Sequence, residues 1–291
     1  MTRLVSPETP PISRPAIPCH STPYPPAVLP APSVLAERDA RRLALVLSEI
    51  GGPGEAVAGG WMARDVDGSW ADFAAGLGLE GPVSDADLDR LVAFYAEVGR
   101  VPKVQVTPYQ HPSLVAGLGA RGFVVTEQET LLVHPLHGGS PFGEDLASPP
   151  AGLGFHEVDG TDPVAVEAFQ ESHRLGFFGD APLPEPMRII NQRVAAHPRV
   201  RLWLVTLDDA VVASGGLETH DGAAVLIAGS VQPEARRRGV HQAFLRFRVA
   251  EARRMGMDYA VIGSLVGGPT ERNALRVGFV PAWSTALYER L

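Results

Sequence analysis

Lysine is almost missing from this sequence: Lys103 is the only one, so arginine carries nearly all the positive charge. Cysteine is as scarce. The single Cys19 excludes an internal disulfide framework and a cysteine-rich zinc site, and its unpatterned surroundings argue against a catalytic thiol. No stretch reaches the ~18 apolar residues that a membrane span requires, and residues 1–18 hold no apolar run of the secretory kind. A cytoplasmic protein with no membrane partner is expected. Cations are not in surplus either: 25 Lys+Arg against 33 Asp+Glu leave a formal net charge of −8, the wrong balance for a dedicated nucleic-acid binder, which must outnumber the counterions it displaces. The nine histidines show no H-x-x-x-H spacing, so no metal site is expected.

What is present reads as a globular chain in two units. Of 291 residues 45% are hydrophobic and 20% charged, a length and balance that favour two domains of about 150 residues. Residues 1–33 hold ten prolines and read as a disordered leader. A degenerate N-terminal domain is expected over 34–137, a Gly/Pro/Ser-rich linker over 138–154, and a second domain over 155–291. The pattern predicts a helix from Leu35 to Ile50, and the glycine-rich stretch Gly51 to Gly60 reads as a loop.

The two units share an order of elements. In the C-terminal unit, strands are expected over 201–207, 211–219 and 223–231. A helix from Val240, a strand from Tyr259 and a helix from Thr270 follow, and then Gly278-Phe279-Val280 and a closing strand. In the N-terminal unit, a helix capped at Ser84 or Asp85 leads to a strand from Lys103, a helix from Ser113, and then Gly122-Phe123-Val124. The two Gly-Phe-Val signatures lie 156 residues apart, which points to a duplicated unit. The fold class expected is mixed α/β (α+β): two related domains, each with a central, mostly antiparallel mixed sheet flanked by helices. Gly117-Leu-Gly119-Ala-Arg-Gly122 spells G-x-G-x-x-G, but it closes a helix and opens a strand, the reverse of a dinucleotide fingerprint.

The stretch that carries chemistry is Gly229-Ser-Val-Gln-Pro-Glu-Ala-Arg-Arg-Arg-Gly-Val-His-Gln242. A strand ends at Val231, and an arginine-rich loop feeds a helix that begins beside Gly239. Unpaired N–H groups and the positive end of the helix dipole suit a pyrophosphate there, and glycine lets it approach closely. Cations alone at a helix start would be unfavourable, so Arg236, Arg237 and Arg238 imply an anionic ligand. Arg246, Arg248, Arg253 and Arg254 read as ordinary solvent-face charges. The N-terminal unit has Gly81-Pro-Val-Ser84-Asp85 at the matching place; a carboxylate at the cap repels phosphate, so this half is expected to be cofactor-free and to shape the site of the other.

With Arg236-Arg-Arg-Gly239-Val-His241, preceded by Val231-Gln-Pro233 and followed by Arg272-Asn273 and Gly278-Phe279, the chain resembles the GNAT acyltransferase superfamily. The match is complete over residues 155–291, and residues 35–137 resemble the degenerate half of tandem GNAT proteins. The resemblance implies acetyl-CoA as co-substrate. Ser230 and Val231 would hold the pantetheine arm, and Arg236, Arg238, Gly239, Val240, His241 and Gln242 the pyrophosphate, with Asn273 near the acyl end. It implies acetyl transfer to a primary amine, small-molecule or peptide, by direct attack in a ternary complex, in a monomer or homodimer. His241 stands where glycine or alanine is usual, and Ala274 where many members carry a tyrosine that protonates the thiolate. Tyr288, Ser264 or water is then left as the acid. Glu218 is the candidate base and His220 a turn residue; His173, Phe177 and Phe178 lie where the family's first two helices line the acceptor pocket, with core packing the expected role of the phenylalanines. The alternative is an inactive acyl-CoA sensor.

Overall fold

A computed structural model describes residues 29–137 and 151–291. The expected leader up to residue 28 and the linker residues 138–150 lie outside the described residues. Helix α1 (Pro32–Ile50) opens with proline at its first position, where the missing N–H costs nothing. It is followed by β1 (Gly54–Val57), β2 (Gly60–Ala63) and the short β3 (Ala74–Ala75). The stretch from Gly51 to Gly60, expected to be a loop, is therefore mostly a hairpin. Ala58 and Gly59 both take positive φ, 46° and 79°, as a two-residue turn between twisted strands demands. Then come α2 (Asp85–Ala96), β4 (Lys103–Val106), α3 (Pro112–Ala120) and β5 (Phe123–Pro135). The second half runs β6 (Leu153–Val158), α4 (Pro163–Phe178), α5 (Glu185–Ala195), β7 (Val200–Leu207), β8 (Ala210–His220), β9 (Ala223–Val231), α6 (Val240–Arg254), β10 (Tyr259–Leu265), α7 (Pro269–Val277) and β11 (Val280–Arg290).

All eleven strands lie in one sheet, in the order β1-β2-β3-β4-β11-β5-β10-β9-β8-β7-β6. Only β3/β4 and β9/β10 pair parallel. Each parallel pair is bridged by a helix, α2 or α6, as a crossover requires. The two halves meet by exchange: β5, the last strand of the first half, pairs with β10, and β11, the last of the second, pairs with β4. β5 and β11 pair with each other at the centre. Gly122 (φ 79°) and Gly278 (φ 99°) start these two strands alike, and Phe123 and Phe279 are both buried behind them.

Helices cover both faces of the sheet. On one, Leu132, Ala224, Leu226, Ala260 and Ile262 pack with Phe244, Leu245 and Val249 of α6 and with Ala274 and Val277 of α7. On the other, Leu131, Val133, Val225, Val261 and Trp283 pack with Leu35 and Ala36 of α1. Successive apolar residues of β5, β9 and β10 thus point to opposite faces, the pattern of strands buried on both sides. Among the described residues no helix is long and apolar enough to cross a membrane, and no group of side chains is placed to hold a metal ion.

Candidate functional site

The centre of the C-terminal half is a fork. β9 and β10 pair only over Ala223–Val225 and Tyr259–Val261; beyond that, β9 continues to Val231 bonded to β8 alone. A bulge drives the divergence. Between the pairs Gly216–Ile227 and Ser214–Ser230, β9 has two residues opposite one, and Ala228 takes φ 51°, which bends the strand away. Close packing fixes the bend from both sides. A Cβ on Gly176 of α4 would stand 2.5 Å from Ser230, and one on Gly215 would meet Gly229 at 2.9 Å.

Arg248 lies beneath the bulge. It is fully buried, which corrects the expectation of a solvent-face charge. Its Nη1 donates to the carbonyls of Gly216 (3.1 Å) and Ile227 (3.3 Å), and its guanidinium lies 4.4 Å over the Phe244 ring. Carbonyls freed by the bulge therefore satisfy part of the guanidinium, while burial pushes its pKa down to about 9. It stays protonated at neutral pH, a positive charge held under the fork without a carboxylate partner.

From the fork the chain turns into α6. A single 3₁₀ turn (Pro233–Ala235) leads to Arg237 and Gly239, both left-handed at φ 62° and 81°. Gly239 caps α6, and no side chain bonds its first-turn N–H groups. These amides open on a cleft of about 630 Å³, lined by Ser230, Val231, Arg236, Arg237, Gly239, Val240, His241 and Gln242. Thr270, Arg272, Asn273 and Arg276 of α7 form the facing wall. Asn273 joins the walls: its Nδ2 donates to His241 Nδ1 (2.8 Å), and its Oδ1 accepts from Gln242 Nε2 (3.3 Å). Burial, with Arg248 adding, pushes the His241 pKa down to about 4, so the ring is neutral. Arg236 is a clamp, donating to the carbonyls of Val231 (3.0 Å) and Gly176 (2.8 Å). Arg238 is exposed and does not line the cleft.

Phe177, 55% exposed, separates this cleft from a second cavity of about 550 Å³ on the α1 face. Leu43, Val46, Met187, Phe73 and Trp70 give it an apolar wall; Ala228 and Gly263 border it at the fork. Its polar groups converge from both halves. Glu218 accepts from Arg42 Nη1 at 2.6 Å, and Arg42 also pairs with Asp39 at 2.9 Å. Glu218 Oε1 has only an ion pair with Arg199 at 3.7 Å, and His173 Nδ1 and Asn191 Nδ2 are buried with no hydrogen-bond partner. Burial alone pushes the His173 pKa down to about 4. Glu129 of β5 leans toward the fork, its Oε2 3.3 Å from where a Cβ on Gly263 would stand. Burial, with Glu127 and Asp39 adding, raises its carboxyl pKa above the ordinary range.

The chain as a whole has counterparts among solved structures. A GCN5-related N-acetyltransferase from Kribbella flavida superposes with a TM-score of 0.61 at 18% identity, over 86% of this chain and 95% of that one. The fold is that of the GCN5-related N-acetyltransferases, or GNATs. A putative acetyltransferase of the GNAT family from Novosphingobium aromaticivorans aligns at TM-score 0.54 and 15% identity, over 88% and 98% of the two chains. A tandem GNAT protein from the clavulanic acid biosynthesis pathway aligns at 0.54 and 15%, over 71% and 69%. No protein-family profile matches the sequence, and no curated protein matches it either.

Within the GNAT fold the residues named from sequence divide clearly. Ser230, Val231, Arg236, Gly239, Val240, His241, Gln242 and Asn273 come together around the first cleft; Glu218, His173 and Phe177 come together around the second. Phe178 lines neither. Tyr288 does not join them. It lies on the exchanged β11 opposite Val104 and Val125, packed against the N-terminal core, so strand exchange carries it away from the fork. Ser264 is engaged at the start of α7, its Oγ accepting from Glu271 N (3.1 Å) and donating to Leu265 O (3.1 Å). Ala274 is fully buried against the α6 core. Sequence reasoning missed Glu129, Arg272, Arg276 and the buried Arg248.

Proposed function

We propose that the protein is an acyl-CoA-dependent N-acyltransferase that moves an acetyl group from acetyl-CoA to a primary amine by direct attack in a ternary complex. The observation that carries this reading is the uncapped start of α6 at Gly239, opening on an arginine-rimmed cleft at the mouth of the β9–β10 fork. Unsatisfied first-turn amides and a positive dipole end are a site for a diphosphate. The absence of a Cβ at Gly239, with nothing within 4 Å of where one would stand, leaves room for it. Arg237, Arg272 and Arg276 would neutralise phosphate oxygens. Beyond Val225 the edge of β9 is unpaired with β10, and its backbone groups at Gly229 and Ser230 are those that an amide-bearing arm can pair with.

Bound there, acetyl-CoA supplies an electrophilic thioester carbonyl and a thiolate leaving group. The chain's own contribution starts with the peptide between Ile227 and Ala228. Its carbonyl is drawn to Arg248, and in a trans peptide the N–H of Ala228 points the opposite way. Accepting from Arg248 polarises that peptide and strengthens its N–H as a donor for charge that develops at the fork. No hydroxyl replaces Ala274 at the leaving group, and a thiol with pKa near 8.5 departs adequately without one.

The test is acetyl-CoA with a panel of primary amines, read as free thiol released and, separately, as a rise in melting temperature with acetyl-CoA alone. Turnover with stabilisation supports the enzyme. Stabilisation without thiol release supports an acyl-CoA sensor, the reading favoured by the buried Ala274. Neither response would overturn both.

A further inference from the structure

The second cavity has an unusual authorship: the C-terminal half carries the fork, but one of the carboxylates beside it comes from the other half. Glu129 sits on β5, which strand exchange places against β10. No described side chain pairs with its carboxylate by hydrogen bond or salt bridge. The other carboxylates are taken: Asp39 and Glu218 share Arg42 at 2.9 and 2.6 Å. The charged side chains facing Glu129 are Asp39 and Arg42 from α1, Glu218 from β8 and Glu127 on its own strand, with His173 of α4 neutral. On its other side Asp72 and Lys103 border a second cleft of about 390 Å³ that Glu129 also lines. Of the groups lining the cavity, three carboxylates thus stand against one guanidinium, around an apolar wall, while Arg199, bound to Glu49, reaches Glu218 at 3.7 Å from behind the lining.

We propose that Glu129, delivered by the exchanged strand, is the residue that holds the acceptor's ammonium at the fork and takes its proton, and that the cavity selects primary amines with an apolar body and no acid group. This rests on the acyltransferase reading above. Two buried polar atoms around the cavity without a hydrogen-bond partner, His173 Nδ1 and Asn191 Nδ2, mark it as a place for a polar ligand rather than an empty packing defect. An excess of carboxylates in a low-dielectric site favours a cation and repels an acceptor bearing its own carboxylate or phosphate.

The proton balance is complete. The ammonium gives one proton to Glu129 and becomes the neutral nucleophile. The nitrogen–carbon bond forms, the carbon–sulfur bond breaks, and the second nitrogen proton ends on the thiolate. Glu129 then returns its proton to solvent through the second cleft, on which its side chain also opens. A carboxyl whose affinity for protons is raised by burial is better matched to this exchange than His173, whose ring is held neutral with a pKa of about 4.

The experiment compares wild type with Glu129→Gln, using 2-phenylethylamine and phenylalanine as acceptors with acetyl-CoA. Wild type is expected to prefer the amine without the carboxylate by at least about tenfold in kcat/KM. Glu129→Gln should lower kcat/KM for phenylethylamine on the order of 100-fold. It should leave the melting-temperature response to acetyl-CoA intact, and its residual rate should climb with pH as solution deprotonates the amine. An unchanged pH profile in Glu129→Gln, or equal use of both acceptors by wild type, overturns the proposal. So does a loss of the acid limb in Glu218→Gln or His173→Phe instead. If wild type stabilises with acetyl-CoA yet acetylates no amine, the acyltransferase reading fails on its own account. Calorimetry of phenylethylamine binding then decides for Glu129: loss of binding in Glu129→Gln upholds the ammonium site, and equal binding removes it.

Discussion

The two halves start a helix at the same place, after the first strand of a parallel pair, and finish it in opposite ways. In the N-terminal half Ser84 caps α2 as a full capping box: its side chain accepts from Asp87 N, and the Asp87 carboxylate accepts from Ser84 N. Asp85 and Asp87 then fill the first turn with negative charge. In the C-terminal half Gly239 offers no side chain, and the first-turn amides of α6 are left to whatever enters the cleft. One corner has satisfied itself and has become architecture; the other leaves its donors open to a cleft. Whether such a corner can accept an anion depends on which partner its amides already meet.

The sharpest way to break this contrast is to write the closed corner into the open one. Gly239→Glu should reduce acetyl-CoA affinity on the order of 100-fold or more, read by calorimetry, because it sets a carboxylate at the diphosphate position. Gly239→Asn separates charge from backbone strain: asparagine tolerates a left-handed conformation, so most of the affinity should survive. A smaller effect follows from the two neutral imidazoles. His173 and His241 have pKa values near 4 in the fold against 6.5 when unfolded, so the unfolded chain binds more protons between those values. Stability should therefore rise with pH from about 4 to 6.5, by up to about 3 kcal/mol for each ring. Denaturant midpoints across that range should show the slope, and His173→Phe should remove about half of it. Smallest is Ser84→Ala, expected to cost about 1 kcal/mol of stability while leaving the acetyl-CoA response untouched; a lost response would mean that the closed corner also matters to the ligand.

Much of the fold was legible because it is local. Periodicity gave α1, α2, α6 and the strands β7, β8 and β9 nearly to the residue, and the repeated Gly-Phe-Val marked two strands that do begin alike. The binding corner was legible for the same reason: strand end, loop, glycine and helix start are contiguous in the chain. What escaped is non-local. Nothing in the sequence near Phe123 or Val280 says that these strands trade places, and that exchange removes Tyr288 from the site and brings Glu129 to it. Glu129 lies in Glu127-Gln128-Glu129, a polar run that reads as a solvated strand. Arg248 sits among other arginines on α6, and only the bulge at Ala228 reveals why this one is buried.

The exchanged strands have a further consequence. Each half is missing one of its own strands and is repaired by the other, so neither can be discarded. Without β5, β10 would present a bare row of amides and carbonyls along an apolar strand, an invitation to self-association. The N-terminal half is thereby held in place by the fold itself, and its residues on β5 and α1 line the cavity at the fork. Interlocking of this kind means that a substitution on β5 is felt first as a folding defect, and then at the fork, without altering the helix start at Gly239.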